Sequence, residues 1–371
     1  MIESNSRRPA GVYPRPAVGR LPQYVAGKPP VVVPGLESFK LSSNENPLGP
    51  VPPVQEVIRQ AADVHRYPDP SSTLLRNALS DFLDVPAEDI VTGAGSLGAL
   101  NQILAAFAGQ NDDGCHDEVI YAWRSFEAYP ICVGLAGAKS VQIPVRPDGT
   151  HNLAAMAAAV TDKTRVILLC TPNNPTGPAL RSQDVHDFMG ALPPHIVVVI
   201  DEAYQEFVRL EDAVDGVKLY REFPNVIVLR TFSKAHGLAG LRVGYSISQP
   251  HITQYLRAAA TPFAVSNIAE LAAVASLQNY GQVVERVQSL VNERERVVSG
   301  LRNAGWMIPD AQGNFVWLPL GQKTPEFEAL AASQGLSVRA FGDEGVRVSI
   351  GEEAANSRFL DVCAAYTNAP Q

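Results

Sequence analysis

Three short runs rich in β-branched apolar residues constrain the fold of this chain more than any other feature. They cover residues 165–169, 196–200 and 226–229. Runs of this kind suit the central strands of a sheet that is buried on both faces, because neither face needs polar side chains. Helical patterns separate the three runs, so the sequence predicts an α/β fold with a mostly parallel central sheet.

Elements on either side of these runs extend the alternation. Before them, the pattern predicts strands over 89–91, 118–121 and 139–143, an apolar helix opened by 93–96, and further helices over 54–62, 71–83, 126–135 and 153–160. Beyond about residue 252, long helical stretches run to residue 301, and short strands follow over 315–318, 337–339 and 346–350 before a last helix. This change of character is typical of a second, smaller α+β domain.

The N-terminal stretch has a composition of its own. Eleven of the 29 prolines in this 371-residue chain fall within the first 53 residues. Because proline cannot continue a helix, this stretch is predicted to be an extended arm. We therefore predict an arm over 1–40, a large domain over 41–255 and a small C-terminal domain over 256–371.

Composition excludes several classes of function. The net charge of −8 argues against a nucleic acid as the main partner, since phosphate backbones need a basic face. No apolar run approaches the ~20 residues that a membrane helix needs. The four cysteines are scattered, without a CxxC or Cys/His cluster, which favours small core side chains over a metal site or a disulfide framework. We expect a cytoplasmic protein without a metal ion and without a membrane partner.

Polar loops follow each of the three apolar runs. They cover residues 170–177, 201–204 and 230–237. In open α/β sheets, ligands bind beyond the carboxyl ends of the strands, so three such loops are expected to meet at one site. Taken singly, 173–177 could be a plain turn and Asp201 a helix cap. As a functional group, Asp201 would be a buried carboxylate that faces a cationic ring nitrogen.

Lys234 has the most specific surroundings of any residue in these loops. It ends the segment Thr-Phe-Ser-Lys, which is an unusual place for a lysine because loop lysines normally point to water. A lysine that attacks an aldehyde must be neutral, so burial or a neighbouring cation would have to lower its pKa from about 10.4. Thr231, Ser233 and Arg242, together with the helix N-terminus at 93–96, could form a cup for a phosphate group.

These residues resemble a known family. The segments 93–98, 173–177, 201–204 and 231–242 resemble fold-type-I pyridoxal-phosphate-dependent aminotransferases, and segments 41–50 and 66–69 resemble the histidinol-phosphate aminotransferase branch. Within that branch, 93–96 and 122–129 are most similar to actinobacterial aromatic (phenylalanine) aminotransferases. The resemblance runs from about residue 20 to 365. It implies a large domain that binds pyridoxal 5′-phosphate (PLP) and an N-terminal arm that packs with the small domain.

The resemblance also implies roles for single residues around the cofactor. Lys234 would carry PLP as a Schiff base and move the substrate proton, Asp201 would pair with the ring nitrogen, and Tyr204 would complete the catalytic set. Asn174 and Tyr204 would bind the ring hydroxyl oxygen, and Phe126 would stack on the ring. The phosphate group would be held by Gly95, Ser96, the Leu97 backbone, Thr231, Ser233 and Arg242.

The remaining implied contacts concern the substrate and the partner subunit. Tyr67 would reach the phosphate site of a second copy, which implies a homodimer. Arg347 would bind the substrate α-carboxylate through a bidentate pair. Asn174, Asn44, Tyr24 and Arg339 would also contact the amino-acid and 2-oxo-acid substrates.

Two positions depart from the family pattern. Leu97 and Gly98 stand where the family's phosphate loop commonly has Asp-Glu, so a side-chain contact is lost although backbone N–H groups can still serve. His236 stands where Phe or Tyr is common, and we interpret it as a wall residue with a satisfied ring, not an acid or base.

Two substrate hypotheses remain open at this point. The first is an aromatic amino acid, phenylalanine or tyrosine, with 2-oxoglutarate as acceptor. The second is histidinol phosphate with the same acceptor. Arg339 could supply the extra cation that a phosphate needs, but it could equally serve the side-chain carboxylate of glutamate, so it does not decide between the two. A decarboxylase or lyase would use the same lysine and carboxylate. A non-catalytic regulator on this fold would need a DNA-binding domain, and the first 40 residues are too short and proline-rich for one.

Overall fold

A mixed seven-stranded sheet forms the centre of the protein in the computed structural model, which describes residues 14–61 and 64–368. The strands of the described residues, in chain order, are β1 (Phe39–Lys40), β2 (Ile90–Ala94), β3 (Glu118–Trp123), β4 (Lys139–Pro144), β5 (Thr164–Cys170), β6 (Val197–Asp201), β7 (Val226–Thr231), β8 (Val243–Ser248), β9 (Phe315–Leu318), β10 (Leu336–Ser337), β11 (Arg339–Phe341) and β12 (Gly345–Ser349).

Helices cover the sheet and build most of the C-terminal part. In chain order they are α1 (Pro16–Gly19), α2 (Pro52–Gln60), α3 (Thr73–Leu83), α4 (Gly95–Phe107), α5 (Tyr129–Ala136), α6 (Leu153–Ala158), α7 (Ser182–Ala191), α8 (Gly216–Glu222), α9 (Pro250–Ala259), α10 (Asn267–Gln278), α11 (Tyr280–Asn303), α12 (Thr324–Ser333) and α13 (Glu353–Asn368). Local signals set several ends. Asp215 and Ser266 cap the N-termini of α8 and α10, and Gly137 ends α5 with a left-handed conformation.

The large sheet confirms the predicted α/β fold. Its strand order is β2-β8-β7-β6-β5-β3-β4, and every neighbouring pair is parallel except the two pairs that involve β8. Strands β6 and β7 are almost wholly buried, as their apolar runs predict. Strand β8 was not predicted from the sequence, because its apolar pattern is interrupted by Gly244, Tyr245, Ser246 and Ser248.

Several predicted boundaries were wrong. The strand predicted over 337–339 is two strands: β10 pairs with β1, and β11 pairs with β12. The helix predicted over 126–135 begins only at Tyr129, after a turn in which the Tyr129 N–H donates to the Phe126 carbonyl at 2.9 Å. The arm predicted as extended contains the short helix α1.

The arm contacts the C-terminal part of the chain directly. Phe39 and Lys40 of β1 lie opposite Leu336 and Ser337 of β10 in a parallel pair. A separate antiparallel sheet, with the order β11-β12-β9, lies in the same part of the chain. These contacts agree with an arm that packs with a small C-terminal domain, and the exact domain boundaries stay a prediction.

The structure can be compared with what composition predicted about cysteines, membrane helices and metal sites. Cys132, Cys170 and Cys363 are buried, whereas Cys115 is exposed, so the prediction of core cysteines was wrong for that one residue. Within the described ranges, no helix has both the length and the apolarity to cross a membrane, and no group of three or more His, Cys, Asp or Glu side chains could hold a metal ion.

Three central strands end at one edge of the large sheet. Cys170 at the end of β5 lies opposite Asp201 at the end of β6, and β7 ends at Thr231, just before the Ser233-Lys234 segment. Because parallel strands end side by side, the three polar loops predicted from the sequence meet at this edge.

Candidate active site

A cavity of about 310 Å³ lies at this edge of the sheet. It brings together most of the residues that the sequence analysis singled out, namely Tyr24, Ser96, Leu97, Phe126, Asn174, Asp201, Tyr204, Thr231, Ser233, Lys234, Arg242, Arg339 and Arg347. Among the described residues, Gly95, Asn44 and Tyr67 do not line it. Glu127 and Glu45 line it without having been predicted.

Lys234 has the properties that attack on an aldehyde requires. Burial lowers the pKa of its amine to about 7, and the nearby Arg347 guanidinium adds to that effect. Its Nζ donates to the Ser43 carbonyl at 3.2 Å and lies 5.7 Å from the centre of the Tyr204 ring. A large fraction of this amine is therefore neutral, and so nucleophilic, near neutral pH.

Asp201 offers a buried carboxylate oxygen without a partner. Its Oδ2 accepts a hydrogen bond from the Tyr129 hydroxyl at 2.7 Å, whereas its Oδ1 is buried and has no hydrogen-bond partner. Burial raises the pKa of this carboxyl to about 6, although the Tyr129 hydrogen bond acts in the opposite direction. A buried acceptor of this kind is costly unless a donor or a cation meets it, so its place in the cavity marks a ligand-binding position.

Tyr204 is held so that its hydroxyl can donate into the cavity. The Asn44 Nδ2 donates to the Tyr204 hydroxyl at 3.0 Å, and Ser349 Oγ donates to the Asn44 Oδ1 at 3.0 Å. Because the Asn44 NH₂ group can only donate, the hydroxyl proton of Tyr204 stays available. Asn44 thus lies behind Tyr204, and its predicted direct contact with substrate stays a prediction.

Asn174 presents a second donor to the same cavity. Its Oδ1 accepts from Arg347 Nη1 at 2.6 Å, which leaves its NH₂ group to donate elsewhere. Asn174 and Tyr204 therefore supply two donors on lining residues, an arrangement suited to an anionic oxygen.

The residues predicted to bind a phosphate group lie around the N-terminus of α4. Gly95 adopts a φ of +73°, a backbone conformation that favours glycine, and the Arg242 guanidinium lies close enough that a Cβ atom there would be 2.6 Å from its Nη2. Gly244 of β8 is as constrained, since its Cβ would lie 2.4 Å from the Ser96 nitrogen. The first-turn N–H groups of α4 lack intrahelical partners and can bind an anion.

Hydroxyl groups complete the cup on the side of β7. Thr231 Oγ1 donates to Ser233 Oγ at 3.0 Å and accepts from the Ser233 N–H at 3.1 Å. Leu97 lines the cavity although it replaces the family's usual acidic residue, in keeping with a contact from its backbone.

Two arginines lie side by side at the other end of the cavity. Arg339 of β11 and Arg347 of β12 are directly opposite each other in the antiparallel pair, so both side chains emerge on one face. Arg347 is buried, donates to the Ser42 carbonyl at 2.8 Å and keeps its Nε without a partner. Arg339 donates to both carboxylate oxygens of Glu127, at 2.8 and 2.9 Å. The two cations therefore differ in how far they are already neutralised.

Tyr67 and His236 lie outside the cavity. Tyr67 is 82% exposed and stacks on Phe263, with ring centres 4.8 Å apart. His236 is buried, its Nδ1 lies 2.7 Å from Ser276 Oγ, and burial lowers its pKa to about 4. The His236 ring is thus neutral near pH 7 and hydrogen-bonded, which agrees with its interpretation as a wall residue.

Glu127 and Tyr129 are the site residues that the sequence analysis quoted without assigning a role. Both belong to the 122–129 segment, and Tyr129 follows Phe126 by three residues at the start of α5. Their partners, Arg339 and Asp201, are 212 and 72 residues away along the chain. Only a signal that linked these distant positions could have found the contacts.

The cavity fits PLP feature by feature. The unpartnered Oδ1 of Asp201 suits a protonated ring nitrogen, and the donors of Asn174 and Tyr204 suit the ring oxygen. The cup at the start of α4 suits a phosphate group, and the amine of Lys234 suits the aldehyde. Phe126 lines the cavity as a face on which the ring could stack.

Comparisons with known proteins agree with this geometry. Residues 37–363 match the family described as aminotransferase class I and II. The aromatic amino acid aminotransferases of Thermobifida fusca and Streptomyces coelicolor are each 50% identical to this chain, over 95% and 92% of it and over 97% and 94% of their own lengths. The structure of histidinol-phosphate aminotransferase from Sinorhizobium meliloti in complex with PLP superposes with a TM-score of 0.83 at 27% identity, over 97% of both chains.

These matches confirm the predicted fold type and the predicted cofactor, because class I and II aminotransferases use PLP. They also bear out the two branches that the sequence analysis named, since sequence relatives carry one name and a structural relative the other. The chain therefore belongs to the class I and II aminotransferase family.

Proposed function

We propose that this chain transfers the amino group of an aromatic L-amino acid, phenylalanine or tyrosine, to 2-oxoglutarate. Transamination rests on one observation above all: a lysine with a pKa of about 7 and a buried carboxylate with an unpartnered oxygen line the same cavity. The aromatic substrate is supported by the two relatives that are 50% identical to this chain over nearly its whole length.

When bound, PLP supplies a carbonyl carbon that captures the amine and a cationic ring that takes up the electron pair left by the α-proton. The chain contributes binding and orientation around it. Asp201 would hold the ring nitrogen protonated through charge attraction, and the α4 N-terminus with Arg242 would bind the phosphate. Asn174 and Tyr204 would donate to the ring oxygen.

Lys234 carries out the proton transfer. With PLP and substrate bound, the neutral Nζ of Lys234 would take the substrate α-proton and return it to the neighbouring carbon. Arg347 would bind the substrate α-carboxylate, since its present partners are the uncharged Asn174 amide and Ser42 carbonyl. That contact would bring the α-carbon toward Lys234, whose pKa is itself lowered by Arg347.

The alternative substrate is histidinol phosphate, in keeping with the name of the Sinorhizobium meliloti relative. A phosphate group would need a free cation at the far end of the cavity. Arg339 is the candidate there, and the carboxylate of Glu127 already occupies it. This pairing favours the aromatic amino acid, whose side chain carries no charge.

We further propose that the protein acts as a homodimer in which Tyr67 completes the phosphate site of the partner subunit. In its own chain Tyr67 is exposed and does not line the cavity. It forms an exposed aromatic pair with Phe263, which is 44% exposed. Exposed aromatic side chains of this kind are enriched in protein interfaces. The net charge of −8 does not suit a nucleic-acid partner, and a cytoplasmic location stays a prediction from the cysteine pattern.

The substrate proposal is tested by kcat/KM measured side by side for phenylalanine, tyrosine and histidinol phosphate, with 2-oxoglutarate as acceptor. We expect the aromatic amino acids to exceed histidinol phosphate by about 100-fold, because an unmatched phosphate would meet the Glu127 carboxylate. Glutamate and phenylpyruvate should form in equal amounts. A preference for histidinol phosphate would select the alternative, and release of carbon dioxide would indicate a decarboxylase.

Replacing Tyr129 with phenylalanine is expected to weaken cofactor binding about tenfold, since a hydrogen bond to a charged carboxylate contributes about 1.5–3 kcal/mol. The Tyr129 hydrogen bond lowers the pKa of Asp201, so its loss raises that pKa above its present value of about 6. More of the carboxyl is then protonated at pH 7. The loss of affinity should therefore shrink as the pH rises toward 8.

The measurement is the dissociation constant of PLP, obtained by titrating the apoprotein between pH 6 and 8. Tyr121→Phe is the matched control, because the Tyr121 hydroxyl is also buried but accepts from Gln142, at 3.1 Å, and not from the site. Equal affinities in the two variants at every pH would show that Tyr129 does not act through Asp201.

A further inference from the structure

Glu127 and Arg339 form an ion pair within the cavity, and the proposed transamination assigns no role to Glu127. We propose that Glu127 is a specificity-determining residue: it is a built-in counter-ion that occupies Arg339 and sets how well the enzyme accepts acidic side chains relative to uncharged ones. The inference rests on the proposed function, in which one cavity must accept both an aromatic amino acid and a dicarboxylic acid.

The geometry of the pair is that of a full carboxylate–guanidinium contact. Arg339 Nη2 donates to both oxygens of Glu127, at 2.8 and 2.9 Å, and its Nε donates to Oε2 at 3.3 Å. Its Nη1 donates to the Ala26 carbonyl of the N-terminal arm at 3.3 Å. Four of the five N–H donors of this guanidinium therefore already have an acceptor, and a substrate anion that pairs with the Nε–Nη2 edge has to displace Glu127.

Arg347, the neighbouring arginine in the same cavity, has no carboxylate as a hydrogen-bond partner. Arg347 has two uncharged partners, the Asn174 side chain and the Ser42 carbonyl, and its Nε has none. Arg347 thus keeps its positive charge available for a carboxylate. Since Arg339 and Arg347 lie opposite each other on one face, the cavity contains one available cation and one neutralised cation.

One available arginine and one paired arginine suit both an aromatic amino acid and a dicarboxylic acid, but not equally well. For an aromatic amino acid, the α-carboxylate needs one cation, and an unpaired second arginine beside the uncharged ring would be costly. Glu127 removes that cost by pairing with Arg339. For a dicarboxylic acid, the second carboxylate can take over Arg339 only if Glu127 leaves, so the same ion pair lowers the affinity for acidic substrates.

Of the two side chains in this ion pair, Glu127 is the one that can move away. The Glu127 side chain is 26% exposed, whereas that of Arg339 is 9% exposed. Arg339 is further held by the Ala26 carbonyl and by the Phe341 ring, whose centre lies 5.4 Å from its guanidinium carbon. Glu127 lies in the turn between β3 and α5, next to Phe126. It can therefore rotate toward solvent while the arginine stays in place.

The chain provides a matched control for this ion pair. Arg124 and Glu344 form a second ion pair between the same two segments, the β3–α5 turn and the β11–β12 hairpin. Arg124 also lies beside Phe341, at 5.5 Å from the ring centre. Neither Arg124 nor Glu344 lines the cavity. Removing Glu344 thus tests the loss of an ion pair between these segments without a change of charge inside the cavity.

The experiment compares Glu127→Gln with Glu344→Gln in the PLP-loaded enzyme. We expect Glu127→Gln to raise the ratio of kcat/KM for glutamate to kcat/KM for phenylalanine about tenfold, mainly through a lower KM for glutamate. We expect Glu344→Gln to leave that ratio within about twofold of the wild type. The idea is contradicted if Glu127→Gln leaves the ratio unchanged, or if both variants change it equally.

A binding measurement separates this inference from the proposed function. Glutarate has two carboxylates but no amino group, so its affinity can be measured by calorimetry without turnover. Glu127→Gln should bind glutarate about tenfold more tightly than the wild type, and Glu344→Gln should match the wild type. An unchanged affinity in Glu127→Gln would overturn the role of Glu127 even if phenylalanine is a good substrate. A wild type that does not transaminate phenylalanine would overturn the proposed function instead.

Discussion

Replacing Lys234 with alanine is expected to lower kcat for transamination of phenylalanine by about 10⁴-fold or more, because one side chain supplies both the covalent link and the proton transfer. The pKa of about 7 is what makes both tasks possible near neutral pH, since burial disfavours the charged amine. Cofactor binding should be weakened and not abolished, because the α4 cup, Asp201 and the ring-oxygen donors remain. The kinetic loss should therefore persist at saturating PLP.

Two controls test whether the loss of activity is specific to the amine of Lys234. Lys139→Ala removes an exposed lysine that pairs with Glu118, far from the cavity, and should keep wild-type turnover. A small primary amine added to Lys234→Ala should restore part of the activity, since it can take the α-proton in place of the missing side chain. Wild-type turnover in Lys234→Ala would exclude this lysine from the chemistry.

The second large effect is expected from Asp201. Its exchange for asparagine keeps the shape of the side chain but removes the negative charge, so the ring nitrogen is no longer held protonated. We expect kcat to fall about 10³-fold while PLP remains bound, as is usual when a preorganised charge next to the reacting group is lost. Parallel measurements of kcat and of bound cofactor absorbance separate these two effects.

Asp89 is a close structural match for Asp201 and serves as its control. Asp89 is also buried, accepts from a tyrosine hydroxyl, that of Tyr220, and has an Oδ1 without a partner. Burial raises its pKa as it does for Asp201. It does not line the cavity, so Asp89→Asn can alter the free energy of unfolding but should leave kcat unchanged. A similar fall of kcat in both variants would mean that Asp201 acts only through stability.

The loss of activity at low pH is expected to follow from protonation of the Asp201 carboxyl group. Its pKa of about 6 is raised above the ordinary value because burial disfavours the charged form. The charged form that pairs with the ring nitrogen is favoured above that pKa and is lost as the pH falls through it. A cation bound at Oδ1 would lower this raised pKa, so the PLP-loaded enzyme should stay active at a lower pH than the pKa of about 6 in the cofactor-free protein indicates.

The sequence predicted the centre of the fold because its signals there are local. Apolar β-branched runs mark β5, β6 and β7, and the polar segments that follow them form the site for a geometric reason, since parallel strands end at one edge. β8 was missed because buried serines and Gly244 break its apolar pattern. The packing of β8 against the start of α4 selects that glycine, and packing between distant segments is not visible in a local pattern.

In the site, too, residues in short motifs were predicted, whereas contacts between residues far apart in the chain were not. Lys234, Asp201 and the phosphate cup belong to short motifs, so the resemblance located them. The hydrogen bond from Asn44 to the Tyr204 hydroxyl was not predicted, because the two residues are 160 positions apart, and the predicted contact of Asn44 with substrate stays a prediction. Glu127 received no role because its meaning depends on Arg339, more than 200 residues away in the chain.

The most direct test of the central claim is to reduce the PLP-loaded wild-type protein with borohydride and to map the labelled peptide by mass spectrometry. We expect one phosphopyridoxyl group per chain, attached to Lys234. We also expect no stable label at that position after the enzyme has been saturated with phenylalanine in the absence of a 2-oxo acid, because the amine is then released. A label on another lysine, or none at all, would contradict the assignment of Lys234 as the residue that carries the cofactor.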